Sequence, residues 1–235
     1  MSLDHWNVII TLVAFLLAML IAIYSWNQMR SFAVGVVVWF GLAFTLSSRG
    51  FFQSTSGWAD DDIVGFIVFG TLMTLPLIGL ALGWMRSARL REFLKSIPLS
   101  LLIGIEVYRA AGAVFWWMYT QEMMPSTIGI FTGFADVFIG VTALPLVWAL
   151  ARKVPGMRRF AIAWNLFGIS DFVIAVSMVS LSIFGLVTMT PEPVRIGLHP
   201  LALIALFQLP LSIVIHVLAL RQLLYAERAV AWEPS

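Results

Sequence analysis

Thr127–Ala151 reads TIGIFTGFADVFIGVTALPLVWALA, a run whose only ionisable side chain is Asp136. As an α-helix it is about 37 Å long, enough to cross a bilayer whose hydrocarbon core is about 30 Å thick. Such a run has no place on a water-soluble surface, and nothing in it alternates with the period of two that a β-barrel strand requires. The rest of the chain repeats the pattern. Further apolar runs lie near 6–26, 31–48, 63–85, 98–118, 160–188 and 198–220, separated by short polar or turn-forming stretches such as Arg152-Lys153-Val154-Pro155-Gly156. The expected fold is all-α: one transmembrane domain over 1–235, a bundle of seven helices.

Composition supports this reading. Of 235 residues, 61% are hydrophobic and 11% charged, against about 25% charged in soluble chains. The net charge of +2 is not a nucleic-acid footprint, because the cations sit in short loops at helix ends. With no cysteine in the chain, disulfides, thiolate metal sites and cysteine nucleophiles are excluded.

Lysine and arginine placement predicts the direction of crossing. Arg30, Arg86, Arg89, Arg91, Lys95, Arg152, Lys153, Arg158, Arg159, Arg221 and Arg228 fall on one side, and Arg49 and Arg195 on the other. The N-terminus is therefore expected outside and the C-terminus in the cytoplasm. Eight tryptophans, Trp6, Trp26, Trp58, Trp84, Trp116, Trp117, Trp148 and Trp164, fall near the expected interfaces, where indoles are half wet. Leu90, Phe93, Leu94 and Ile97 recur at helical spacing and predict a short helix on the cytoplasmic membrane surface. Asp60, Asp61 and Asp62 fit helix capping and topology control, or a cation-attracting mouth.

Ionisable residues within spans are functional hypotheses by default. Span four holds Glu106 and Arg109, span five Asp136, span six Asn165 and Asp171, and span seven Gln208 and His216. Counted from the predicted cytoplasmic helix ends, Glu106, Arg109, Asp171, Gln208 and Asp136 lie ~13–22 Å deep, around the ~15 Å midplane. Asn165 and His216 form a second layer ~6–8 Å from the cytoplasmic edge. The last four helices are thus expected to build the site and the first three to act as scaffold. Glu106 and Arg109, three apart, share a helix face. Three carboxylates with one guanidinium carry −2 if all are ionised, which a low-dielectric interior does not sustain. Either carboxylic acids stay protonated, or a cation completes the cluster. A static clamp gluing helices together is the alternative.

Spans five and six share a pattern 35 residues apart: Gly133-Phe-Ala-Asp136 through Val141-Thr142, and Gly168-Ile-Ser-Asp171 through Val176-Ser177. The two helices run oppositely, so a two-fold axis in the membrane plane would bring the aspartates together, the local logic of inverted-repeat transporters. Leu-Pro-Leu recurs at Pro76, Pro145 and Pro210. Kinks there would open a cytoplasmic vestibule, although proline is also ordinary in membrane helices.

Several chemistries drop out. Lys95 and Lys153 are the only lysines and both lie in loops, so no Schiff-base retinal is possible. His216 is expected on the cytoplasmic side and His5 and His199 outside, which gives no zinc triad; a bis-histidine haem could use only His5 and His199, both at the outer surface, and no Ser–His–Asp triad is evident. No cofactor and no metal is expected.

Arg109-Ala-Ala-Gly112, Gly133-Phe-Ala-Asp136 and Trp164-Asn165-Leu-Phe-Gly168-Ile-Ser-Asp171 resemble a set of bacterial multi-span proteins that carry Arg-x-x-Gly, Gly-x-x-Asp and Trp-Asn-x-x-Gly-x-x-Asp in successive helices. The likeness covers roughly residues 106–235. It implies a bacterial inner-membrane location and polar positions that act as a unit, without implying a chemistry.

The expected function is binding or transport of a proton, cation or small cationic ligand. Glu106, Asp136 and Asp171 would take the charge, Arg109 would orient them, Gln208 would add a neutral contact, and Asn165 and His216 would mark the exit. A membrane enzyme acting on a lipid or quinone through a carboxylic acid, and a sensory or structural subunit whose polar layer only fixes packing, are the alternatives. The bilayer is the one partner the sequence requires, and oligomeric state is left open.

Overall fold

A computed structural model describes residues 2–52 and 63–230. Trp58 and Asp60–Asp62 lie outside the described residues. Every described element is helical: α1 (Leu3–Trp26), α2 (Arg30–Ser48), α3 (Ile63–Arg86), α4 (Ala88–Ser96), α5 (Leu99–Thr120), α6 (Thr127–Ala151), α7 (Met157–Ile183) and α8 (Leu201–Tyr225, continuing to Val230). Among the described residues seven of these helices, all but α4, are long and apolar enough to cross a membrane.

The helices match the apolar runs in number and differ at their ends. α7 starts at Met157 rather than 160 and α8 runs past 220 to Val230. An apolar run stops at its first charges, whereas a helix continues wherever its backbone can hydrogen-bond. Arg158 shows this in the first turn of α7: its Nε donates to the Leu223 carbonyl of α8 at 3.1 Å. Its Nη2 contacts the same oxygen.

α4 is the helix read from the Leu90, Phe93, Leu94 spacing. Ser87 caps it, its Oγ accepting from the Leu90 amide at 3.2 Å. Arg91 donates to the Trp84 and Met85 carbonyls at the end of α3. Its apolar face does not lie on the membrane surface. Leu90, Phe93 and Leu94 are buried against the bundle with Leu102, Ile103, Ile215 and Ala219. Phe93 packs on Phe32 of α2, ring centroids 5.1 Å apart, and Leu90 sits against Gly83 of α3, where a Cβ would lie 2.7 Å from its Cδ2.

α8 is the central post: 72% of its apolar window is buried, against 6% for α3. α6 crosses α5 with the two backbones in close approach. A Cβ on Gly140 would overlap the Ala110 backbone nitrogen and lie 2.8 Å from its Cα. Only glycine permits this approach. Gly140→Ala is expected to lower stability by about 1–3 kcal/mol through overpacking, read as thermal unfolding in detergent. An unchanged midpoint would mean that the two backbones part at little cost.

Two apolar clusters bracket the middle of the bundle. One joins Ile103, Ile139, Ala143, Trp164 and Ile215, and the other joins Ile10, Val114, Met118, Ile128 and Leu201. On α5, α6 and α8 the polar residues Glu106, Arg109, Asp136, Gln208 and Ser212 fall between these two plugs in sequence. Trp164 is not an interfacial tryptophan. It is 2% exposed and donates its indole N–H to Thr142 Oγ at 2.8 Å. It lies one turn deeper into the helix than an apolar-run boundary at 160 suggests.

Helical regularity breaks at three places on the spans that carry the polar residues. α5 tightens to a 3₁₀ helix over Ile105–Gly112, while α6 and α8 widen to π-helix over Thr127–Thr132 and Ile204–Gln208. Such breaks inside helices concentrate at functional sites. Pro210 contributes to the last of them. It lacks an N–H and so frees the Leu206 carbonyl four residues earlier. Trp39 of α2 donates its indole N–H to that carbonyl at 2.9 Å, and Tyr108 donates to the Gln208 carbonyl at 3.2 Å. Pro76 and Pro210 border an apolar cavity of about 340 Å³ with Trp39 and Phe207. Pro145 does not line it, so the three prolines form no common vestibule.

Candidate functional site

The 3₁₀ segment of α5 sets the geometry. At three residues per turn, Glu106 and Arg109 stand directly above one another. Arg109, 3% exposed, is the hub. Its Nε donates to Asp136 Oδ1 at 2.6 Å and its Nη2 to Asp171 Oδ2 at 2.7 Å. Its Nη1 points at His216 Nε2, 3.1 Å away, and at the Gly168 carbonyl, 3.5 Å away. Glu106 Oε2 lies 3.9 Å from Nη1. The Phe172 ring lies under the guanidinium, its centroid 4.2 Å from Cζ. The aspartates of the repeated motif, on antiparallel α6 and α7, thus meet across one guanidinium.

Asn165 and His216 do not form a separate second layer. His216 Nδ1 lies 2.9 Å from Asn165 Oδ1, and Asn165 Nδ2 donates to the Ala161 carbonyl at 2.7 Å. That donor fixes the amide orientation. Asn165 Oδ1 then accepts from Nδ1–H, and the Nε2 lone pair faces the Arg109 donor, which is the neutral Nδ1–H tautomer. The two residues join the hub because α7 starts earlier and α8 ends later than the apolar runs do, so depths counted from the runs came out too shallow. Arginine's reach closes the remaining distance. His216 fits only because position 168 is glycine, where a Cβ would overlap Nε2 and lie 2.6 Å from Cε1.

Glu106 is fully buried and its Oε2 accepts from Ser212 Oγ at 2.6 Å. Gln208 shares the site without joining the network, for its Nε2 has no hydrogen-bond partner among the described residues. Among the described residues, Glu106 Oε1, Asp171 Oδ1 and the Thr132 hydroxyl are likewise buried and complete no hydrogen bond of ordinary geometry, although Thr132 lies beside the Asp171 carboxylate. The network therefore holds three carboxylates against one guanidinium, with spare acceptor oxygens. Among the described residues no group of three or more His, Cys, Asp or Glu is arranged to hold a metal.

Two cavities adjoin Asp136. A cell of about 20 Å³, large enough for one water, is lined by Tyr108, Arg109, Gly112, Asp136 and Gln208. A chamber of about 230 Å³ is lined by Thr132, Asp136 and Phe172 together with Phe66, Phe69 and Met73 of α3. Of the first three helices, α3 walls the chamber and α1 lines the small cell through Ile10, while α2 reaches neither.

Ser212 went unread in the sequence although a signal was present. Gln208, Ser212 and His216 are spaced by four on α8, a polar ladder on one face. Phe172 and the α3 aromatics gave no signal, since nothing in an apolar run marks which phenylalanine faces a polar cluster.

A family model described as a domain of unknown function (DUF8737) matches residues 66–224. No curated protein and no solved structure matches the chain.

Proposed function

The chain belongs to the family of this domain of unknown function, DUF8737, and because Glu106, Arg109, Asp136, Asn165, Asp171, Gln208, Ser212 and His216 all fall within the matched residues, we propose that their network is the working centre of a multi-pass membrane transporter for protons or small cations. In this reading the protein sits in a bacterial inner membrane with its N-terminus outside and its C-terminus in the cytoplasm. The Lys and Arg distribution supports that orientation.

One observation carries the reading: a single buried guanidinium is shared by carboxylates from three helices. A static clamp is neutral, since every uncompensated charge out of water costs several kcal/mol. Here the excess is two negative charges when all are ionised. Two protons, or one proton and one cation, bring the cluster to neutrality. Loading and release of those charges is the elementary transport step. Asp136, 6% exposed and bordering both cavities, is the entry point. Arg109 holds Asp136 and Asp171 in place while one of them changes charge. The neutral His216 and Asn165 pair leads from Arg109 toward the cytoplasmic end of α7.

The test is flux in proteoliposomes with an internal pH dye and a potassium diffusion potential. The wild-type protein is expected to move protons or the added cation, and Asp136→Asn and Asp171→Asn to fall to the level of protein-free vesicles. Equal flux from all three proteins, or none from the wild type, removes the reading.

A further inference from the structure

The chamber beside Asp136 has features that proton handling does not use. Its volume of about 230 Å³ exceeds what one water or ion needs. Its walls are aromatic and apolar, formed by Phe66, Phe69, Met73, Phe115 and Phe172. Its polar groups are few. The Thr132 hydroxyl, 5% exposed, lies beside the Asp171 carboxylate and completes no hydrogen bond of ordinary geometry among the described residues, and Asp136 commits Oδ1 to Arg109.

These features select a class of ligand. A metal ion stripped of its water needs about six oxygen ligands, which this wall does not supply. An anion meets the carboxylate excess. A neutral hydrocarbon fills the space but leaves Thr132 and the charge imbalance as they were. An organic ammonium satisfies all three demands. Its N–H groups match a carboxylate and a hydroxyl, its charge offsets one of the two in excess, and aromatic faces attract cations. Size follows by scaling. An apolar cavity of about 150 Å³ holds benzene, so 230 Å³ holds about nine heavy atoms by the same measure.

We infer that this chamber is a binding site for a small lipophilic amine, its ammonium held by Asp136 and Thr132 and its apolar body against the α3 and α7 aromatics. The inference rests on the reading of Asp136 as a cation-accepting group and adds the substrate class.

Calorimetry on the full chain in nanodiscs tests it, with 2-phenylethylamine and its neutral counterpart 2-phenylethanol as probes. The wild type is expected to bind the amine about tenfold more tightly, the worth of one charged hydrogen bond. Asp136→Asn is expected to erase that preference. Gly70 lines the chamber, and a Cβ there meets nothing within 4 Å, so Gly70→Leu has open space at its root and is expected to abolish binding of both probes. Equal binding of the two probes by the wild type, no binding of either, or a preference that survives Asp136→Asn overturns the inference. Should Asp136→Asn fail to fold, the probe pair on the wild type and the Gly70→Leu variant still decide it. Proton flux in a protein that binds neither probe sinks this inference alone. Asp136-dependent amine binding without proton flux sinks the proton reading and keeps the site.

Discussion

Arg109→Met is expected to destabilise the protein by about 3–5 kcal/mol, the cost of breaking a buried ion pair by removing one partner. Methionine keeps the aliphatic stem but ends short of the guanidinium, so the loss combines the missing charge with the packing of Cζ on Phe172. Without the guanidinium, Glu106, Asp136 and Asp171 remain inside the bundle with no counter-charge, and His216 Nε2 loses its donor. The measurement is unfolding of the purified protein in mixed detergent micelles, followed by tryptophan fluorescence. Arg109→Lys is expected to recover only part of the loss. A compact ammonium cannot bond Asp136, Asp171 and His216 from three edges at once. Adding Asp171→Asn to Arg109→Met is expected to be less damaging than the sum of the two single changes, because residues in one network couple by about 0.5–3 kcal/mol. Additive losses, or an Arg109→Met protein as stable as wild type, would contradict a charge-balanced hub.

Trp164→Ala is expected to cost about 3 kcal/mol, the lower end for deleting a large buried ring. The lower end applies on the proposed membrane location, where lipid tails rather than water would solvate this ring in the unfolded chain and the cavity left behind would dominate the loss. The indole packs edge-on to the His216 ring at 5.5 Å and bonds Thr142. Trp164→Phe keeps the ring against His216 and loses only the hydrogen bond, about 1 kcal/mol. Thermal melts of the two variants should therefore separate clearly. Equal melts would place the weight of Trp164 on its N–H and not on its volume.

The seven long helices were legible because bilayer-length apolar runs have one economical structure, and Thr127–Ala151 keeps its sequence-read limits as α6. The ionisable residues of the site were legible for the same reason: Glu106, Arg109, Asp136 and Asp171 stand out in runs with almost no other charge. Their mutual geometry was less so. Rise per residue gives depth and says nothing of azimuth, so α3 passed for scaffold although Phe66, Phe69 and Met73 face the chamber. Depth itself erred for His216 and Asn165, because helices outlast the apolar runs that announce them. The 3₁₀ and π segments had no sequence signature beyond Pro210. They arise where tertiary contacts outvote the local i to i+4 bond.

The indole of Trp39 mends a carbonyl that Pro210 strands, yet α2 lies before the residues that the family model covers. The repair is thus borrowed from outside the shared part of the fold. A relative built on the shared part alone would need its own remedy, such as a hydroxyl, a trapped water, or a different residue in place of the proline. Swapping the leading helices between such relatives would carry this dependency along, and a chimaera lacking the donor would show its defect in the last helix, far along the chain from the cut.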